Sequence, residues 1–430
     1  MNMNTPLIQM TARHQFRAIS TFFRLSVILA AQAMTCVFAQ VPLKNATFDA
    51  ATLTRDNFYQ VLEPAAKREG KLVLYNFAGG FDPIWKVGLI PRFEARYGIK
   101  VVYQNVNLTQ ANQQLIAVHK AGATSPVDVF FAGNTNNFEL LRAAGVIAQP
   151  DLAKILPNLA SVPDPYKRVV FGVDTGGTWP IVHLNQTALG YDNALLPTAQ
   201  VPTSFDALLA WAEKNPGKFA LTAPGKGGSG SGFIYAATLH WVSDAACRKV
   251  LTDQRITEEQ ATQWASNAAC LEPVWAKLKR LLKVAELTNG NADTLNLINN
   301  KQVLIGTTWE DLSATFVKSK QLPTSYRLSL LDKGMVASGD GLIIPANAKS
   351  PAAAMLFIDM AMSREFQAWK LEHHASRSPR SDIDPATTVS ADAARYLVPA
   401  EQLRTRSIPS NWRMTSGLVR VFEDRVLSAR

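Results

Sequence analysis

The fold class is decided by the stretch Lys71-Leu-Val-Leu-Tyr-Asn-Phe-Ala-Gly-Gly-Phe-Asp-Pro83, an apolar run followed by glycines and an Asp-Pro pair. Residues 71–77 have the length and apolar character of a buried strand. Asp82 and Pro83 are typical of a helix start, and apolar residues recur at helical spacing from there to Gly98. A strand that leads directly into an amphipathic helix predicts an α/β fold.

The same alternation continues downstream, with strands at 99–104 and 126–132, a helix at 109–120 and another helix from residue 136. Helices of this length between strands predict parallel pairing with right-handed crossovers. In such sheets ligands bind beyond the carboxyl ends of the strands. We therefore expect ligand contacts from the residues that follow the first and third strands, namely Gly79, Gly80, Phe81, Asn134 and Thr135.

A second α/β pattern begins after Trp179 and indicates a second domain in a chain of 430 residues. The predicted strands are residues 181–185, 219–222, 303–306 and 341–344. The predicted helices are residues 204–211, a helix from Phe233, further helices within 257–287, and one capped by Ser350 and Pro351.

Five segments stand in a characteristic order: Lys71–Gly80, Ser125–Phe131, Val201–Leu208, Asn300–Gly306 before Trp309, and Ser338–Pro345. Together they resemble the extracellular solute-binding proteins of ABC importers, the group that includes maltose-, polyamine- and thiamine-binding proteins. The resemblance implies the type II periplasmic-binding-protein fold. In that fold two lobes, each a mixed, mostly parallel sheet flanked by helices, enclose a ligand cleft.

The resemblance also implies that strands cross between the lobes and allow hinge motion. We place the crossings near Asp174–Trp179 and near Gly306–Trp309. The N-lobe would then comprise residues 41–177 plus 309–345, and the C-lobe residues 178–308 plus 346–430.

A conspicuous glycine-rich loop, Ala223-Pro-Gly-Lys-Gly-Gly-Ser-Gly-Ser-Gly232, contains the pattern G-x-G-x-x-G. The acidic residue that a dinucleotide site needs about 20 residues later is missing, so we do not predict a nucleotide cofactor. Such a loop before a helix can still present N–H groups to a ligand, together with the hydroxyls of Ser229 and Ser231. The alternative is a flexible surface loop.

The resemblance places an aromatic side chain against the ligand at Trp309, and we add Glu310, Asp340 and Trp179 as expected contacts. Glu310 would neutralise a ligand charge, or it would only complement the dipole of the helix that begins there. Trp179 would stack on the ligand, or it would pack against the edge of a lobe.

These features favour a binding protein that is not an enzyme, that captures a small cationic or zwitterionic solute and that delivers it to a membrane permease. The alternative is a secreted α/β hydrolase or lyase, but G-x-S-x-G is broken at Ser229, and the histidines lack the spacing of a metal site. We expect no cofactor. Lys and Arg are scattered, so nucleic acid is not an expected partner, and we expect a monomer.

The N-terminus predicts export to the periplasm. Arg13, Arg17 and Arg24 precede an apolar run that ends at Ala39, and Val37-Phe38-Ala39 resembles a signal-peptidase site. We therefore expect a signal peptide over residues 1–39. The alternatives are a membrane anchor, for which the run is short, and lipid attachment at Cys36.

Removal of residues 1–39 changes both the charge and the cysteine count. It takes away three arginines and no acidic residue, which lowers the formal charge from +10 to +7. The mature chain keeps only Cys247 and Cys270, which we expect to pair in an oxidising compartment. Two buried free thiols are the alternative.

Overall fold

The computed structural model describes residues 44–45 and 48–428. The predictions of a signal peptide, of cleavage after Ala39 and of lipid attachment at Cys36 fall outside these residues. No helix within the described part of the chain is long and apolar enough to cross a membrane.

The strands alternate with helices for most of the chain, as the sequence predicts. The strands are β1 (Lys44–Asn45), β2 (Phe48–Asp49), β3 (Lys71–Asn76), β4 (Lys100–Asn105), β5 (Val129–Phe131), β6 (Val169–Val170), β7 (Val173–Asp174), β8 (Ile181–Asp192), β9 (Phe219–Thr222), β10 (Glu286–Thr288), β11 (Ile305–Trp309), β12 (Tyr326–Ser329), β13 (Met335–Ile343) and β14 (Ser407–Pro409). The helices are α1 (Phe58–Glu69), α2 (Ile90–Tyr97), α3 (Leu108–Lys120), α4 (Thr135–Ala143), α5 (Leu152–Ile155), α6 (Phe205–Lys214), α7 (Gly228–Trp241), α8 (Ala245–Leu251), α9 (Glu258–Asn267), α10 (Glu272–Val284), α11 (Asn291–Asn299), α12 (Glu310–Lys318), α13 (Pro351–Ala361), α14 (Arg364–His374), α15 (Pro385–Thr388), α16 (Ala391–Ala394), α17 (Ala400–Arg406) and α18 (Trp412–Phe422).

The main sheet has the strand order β10-β9-β11-β8-β13-β5-β3-β4. Strand β3 pairs in parallel with β4 and β5 at one end, and β9 pairs in parallel with β10 and β11 at the other. Strands β8 and β13 are antiparallel to each other and to their outer neighbours. The expectation of a mixed, mostly parallel α/β architecture is confirmed.

The first hydrophobic core lies around α1 and α13 in the first lobe, and the second core lies around α7 and α10 in the second lobe. A third core, around Phe130 and Trp179, lies on the opposite face of the first lobe's sheet. Val182 near the start of β8 packs in the first core, whereas Leu189 packs in the second. Strand β13 runs antiparallel to β8, so its start at Met335 lies in the second core and its end at Leu342 lies in the first. These two strands therefore connect the lobes, and α14 connects them a third time.

Both crossings lie later in the chain than the sequence predicts. The first is not near Asp174–Trp179 but along β8, because Trp179 and Ile181 still pack in the first lobe and Leu189 packs in the second. Strand β11 lies in the second lobe, with Ile305 in its core, so the chain does not cross at Gly306–Trp309. It returns later, along β13. As a result α12 and β12 pack in the second core and α13 packs in the first, each in the lobe opposite to the one that the sequence predicts. The sequence pattern of a strand that passes through both lobes does not differ from that of a strand within one lobe, because both of its ends are apolar and buried.

The second half of the glycine-rich loop is helical, since α7 begins at Gly228 rather than near Phe233. Glycine has a poor helix propensity, but here it is required because the start of α7 packs closely against the sheet. A Cβ on Gly230 would lie 1.8 Å from the carbonyl oxygen of Thr222, and one on Gly232 would lie 3.3 Å from Thr187 and Val336. The glycines let the first turns of α7 approach the sheet.

Candidate functional site

A cleft of about 380 Å³ lies where the two lobes meet at the β8–β13 pair. Both lobes and both connecting strands contribute to its wall. The lining residues are Phe77, Ala78, Gly80, Phe81, Ile84, Asn134, Asn185, Gly228, Asn291, Trp309, Asp311, Leu312, Thr315, Ser338, Asp340, His374 and Trp412. Another concavity, of about 450 Å³, is formed by side chains of the first lobe and α14, around Tyr59 and Arg96.

The structure brings five of the sequence-predicted contacts into this cleft: Gly80, Phe81, Asn134, Trp309 and Asp340. Gly80, Phe81 and Asn134 follow the ends of β3 and β5, Trp309 is the last residue of β11, and Asp340 lies within β13. Gly79 opens the 3₁₀ turn Gly79–Phe81, beside the lining residues. Asn134 caps α4 by accepting a hydrogen bond from the N–H of Asn136. Thr135, the first residue of α4, is buried beside it.

Trp179 lies outside the cleft wall. Its ring is fully buried and stacks on Phe138 with centroids 5.0 Å apart. This position corresponds to the packing alternative, because stacking on Phe138 occupies a face of the indole.

Ser229 and Ser231 have partners inside the protein. The Ser229 hydroxyl is buried, with Asn291 Oδ1 at 2.6 Å and Thr222 Oγ1 at 3.1 Å. Ser231 Oγ accepts a hydrogen bond from the N–H of Gly225. The cleft is lined instead by Gly228, the first residue of α7.

Glu310 is also engaged inside the protein. Its carboxylate is fully buried, forms a bidentate ion pair with Arg377 and accepts a hydrogen bond from the N–H of Val398. The carboxylate that lines the cleft is that of the next residue, Asp311.

Sequence reasoning missed Asp311, Asn185, Asn291 and Trp412 as cleft residues. The position of Asp311, two residues after the predicted contact Trp309, could have indicated it as a cleft residue. Asn185 lies on β8 and Asn291 opens α11 directly after β10, where a strand-end argument would have found it. Trp412 comes from the C-terminal α18, and its indole N–H donates to Ser338 Oγ at 3.0 Å.

Asp311 and Asp340 dominate the electrostatics of the cleft. Burial raises the pKa of Asp340 to about 7, and the charge of Asp311 adds to this effect. Burial likewise raises the pKa of Asp311 to about 7, opposed in part by backbone N–H groups. The lining residues include these two carboxyl groups and no Lys or Arg.

A buried polar chain lies behind Asp311. Lys370 Nζ donates to Ser376 Oγ at 3.1 Å, so the Ser376 hydroxyl is free to donate to His183 Nδ1 at 2.6 Å. That pattern leaves the imidazole proton on Nε2, which lies 3.5 Å from Asp311 Oδ2. Burial holds the pKa of His183 well below its usual range, so the ring is neutral.

The comparisons with known proteins agree with this architecture. Residues 88–396 match the family model described as bacterial extracellular solute-binding protein. The chain belongs to this family. It is the solute-binding component of an ABC transporter, and such proteins bind small ligands and interact with a membrane permease.

Solved structures of similar fold cover nearly the whole of their own chains. An ABC transporter substrate-binding protein from Bradyrhizobium japonicum aligns over 84% of this chain and 99% of its own, at 15% identity and a TM-score of 0.60. The spermidine/putrescine substrate-binding protein PotD from Streptococcus pneumoniae aligns over 82% and 97%, at 14% identity and a TM-score of 0.60. Iron-bound HitA from Pseudomonas aeruginosa aligns over 83% and 99%, at 18% identity and a TM-score of 0.55. A search of curated proteins found no match.

Proposed function

We propose that this solute-binding protein captures a small organic cation in its interlobe cleft, acts as a monomer in the periplasm and catalyses no reaction. One observation carries the choice of ligand. The cleft wall contains two carboxyl groups, no Lys and no Arg. A buried site of this charge favours a positively charged solute, because a cation compensates charge that the protein leaves unpaired.

The aromatic walls support the same ligand class. Phe77, Phe81, Trp309 and Trp412 line the same cleft as the two carboxyl groups. Aromatic faces attract ammonium and other organic cations, with an energy of about 0.5–2 kcal/mol for each contact. Proteins of similar fold include spermidine/putrescine transport proteins, which fits a cationic solute.

A zwitterion is the second candidate ligand. Helix α7 begins in the cleft wall at Gly228, and the N-terminus of a helix favours a negative group. A solute with a cation at one end and a carboxylate or phosphate at the other would use both features.

The test is to purify the mature protein from the periplasm under native conditions and to identify by mass spectrometry the small molecules that denaturation releases. We expect an organic cation or zwitterion, whose rebinding by calorimetry reaches one ligand per chain and leaves the ligand chemically unchanged. Release of a neutral sugar or a simple anion would contradict the proposal. Light scattering in the same buffer measures the mass and tests the monomer.

A further inference from the structure

The carboxyl groups of Asp311 and Asp340 differ from the other buried acids of this chain in having few partners. Within residues 48–428, no residue donates a hydrogen bond to the Asp340 carboxylate, and the Oδ1 atom of Asp311 is buried with no partner. By contrast, Asp359 accepts hydrogen bonds from Tyr59 and Asn158, and Glu310 is paired with Arg377. Two acids in one cleft are therefore left without a compensating charge.

The charged and titratable neighbours supply only part of that compensation. From β8, His183 approaches Asp311 only at 3.5 Å and is neutral. From α14, the charge of Lys370 lowers the pKa of Asp311, but its Nζ donates hydrogen bonds to Ser376 O, Ser376 Oγ and Arg377 O and none to Asp311. His374, the other α14 group at the cleft, is held to a pKa of about 4 by burial and nearby positive charges. Glu310 adds negative charge next to Asp311, and Arg377 neutralises it.

We propose that Asp311 and Asp340 form a cation subsite that binds one positively charged group of the solute in exchange for a proton that the pair holds while the cleft is empty. This inference rests on the proposed cationic ligand. In the exchange one carboxyl O–H bond breaks, the proton leaves to solvent, and the incoming cation replaces its charge. No oxidant or other reactant is needed.

The physical reason is that two neighbouring carboxylates in a poorly hydrated site cannot both ionise without a counter-charge. The raised pKa values of both groups agree with this. An organic ammonium stays protonated well above neutral pH, so the titration belongs to the protein. Affinity should therefore fall as the pH drops below about 7, by up to tenfold per pH unit for each proton exchanged.

The experiment uses the mature protein with putrescine, spermidine and thiamine as separate probes. Calorimetry in buffers of different ionisation enthalpy counts the protons released, and infrared difference spectra follow the protonated carboxyl band. At pH 6 we expect about one proton released per probe bound and loss of that band on binding. Asp340→Asn and Asp311→Asn should each reduce the proton release and weaken binding about tenfold or more.

The control Asp332→Asn makes the same change at an exposed carboxylate outside the cleft wall, and it should leave proton release unchanged. If a probe binds with no proton release and no loss of the carboxylic-acid band, the proton exchange is refuted, whereas the proposal of a cationic ligand remains supported. Failure of all three cations to bind would overturn the proposed ligand class and the subsite together. The infrared measurement on wild-type protein needs no variant, so a misfolded variant does not block the test.

Discussion

Glu310 and Arg377 face each other across two parallel hydrogen bonds, from Nε to Oε2 at 2.6 Å and from Nη2 to Oε1 at 2.7 Å. Glu310 is fully buried and the Arg377 side chain is 8% exposed. Arg377 also pairs through its backbone with Leu184 of β8. The ion pair therefore joins the start of α12 to a strand that connects the lobes. One of two adjacent acids is neutralised inside the protein, and the other, Asp311, is left for the cleft.

Glu310→Gln should destabilise the protein strongly, because it leaves the buried guanidinium without its counter-charge. We expect a loss of about 3–5 kcal/mol in the free energy of unfolding, measured by urea denaturation. Glu401→Gln is the matched control, since Glu401 pairs with Arg404 on the surface with both side chains more than 70% exposed. That change should cost less than about 1 kcal/mol. Equal losses in the two variants would show that the buried pair has no special role.

The fold was largely predictable because strand length and helix spacing are local signals. Strands β3, β4 and β9 and helices α3, α4 and α6 lie close to their expected positions. Lobe membership was less predictable, since it depends on which core a buried strand enters. Both ends of β13 are apolar, and nothing in its sequence marks the change of lobe at Ser338–Gly341.

The cleft residues that follow strand ends were predictable. The sequence does not show which of two neighbouring side chains faces the cleft. Glu310 and Asp311 are equivalent in sequence terms, yet consecutive helical residues point about 100° apart, so only one can face the cleft. The partner that retains Glu310, Arg377, lies 67 residues later. The same holds for Ser229. Its hydroxyl bonds to Asn291, which lies on another helix 62 residues later, and no local pattern predicts that contact.

The disulfide between Cys247 and Cys270 should stabilise the second lobe. It closes a loop of 23 residues, for which the chain-entropy estimate is about 3 kcal/mol. Replacing both cysteines with serine should lower the free energy of unfolding by about that amount and leave ligand affinity unchanged, because neither residue lines the cleft. Alkylation of the native, non-reduced protein should label no thiol in the mature chain. Two labelled thiols would disprove the bond.

Asp340→Asn should change the pH dependence of stability. The folded-state pKa of Asp340 is about 7, above its usual 3.8, so the folded protein holds an extra proton between these values. The stability of the wild type should then decrease as the pH rises from about 4 to 7. The Asp340→Asn variant does not lose stability in this way, because asparagine does not titrate. Without ligand it should be more stable than wild type at pH 8 by about 2–4 kcal/mol, with little difference at pH 4.

The control for that measurement is Asp382→Asn, where the sign is reversed. Hydrogen bonds from Arg380 lower the pKa of Asp382, so its carboxylate stabilises the folded protein above its usual pKa and loses that effect in acid. The variant should be less stable than wild type at pH 8. Asp340→Asn would contradict the assignment if it, too, were less stable at pH 8.

Trp309 should contribute directly to the affinity for a cation. Its indole lies in the cleft wall, two residues before Asp311, and packs against Gly228 at the start of α7. Trp309→Leu removes the aromatic face and should weaken binding of the released solute by about 0.5–2 kcal/mol, or about two- to thirtyfold in Kd. Trp309→Phe should retain part of the affinity. Trp211→Leu, at a half-buried tryptophan outside the cleft wall, is the control and should bind as wild type does.

Gly228→Ala tests the same contact from the opposite side. A Cβ on Gly228 would lie 2.9 Å from Cζ2 of Trp309, closer than such atoms approach in proteins, so the indole must move into the cleft or α7 must shift. Either movement changes the space above Asp311, and we expect weaker binding together with a changed tryptophan emission in the ligand-free protein. If Trp309→Leu and Gly228→Ala both keep wild-type affinity, the ligand does not contact this wall. Its cation must then be held by the carboxyl groups and the aromatic residues of the first lobe.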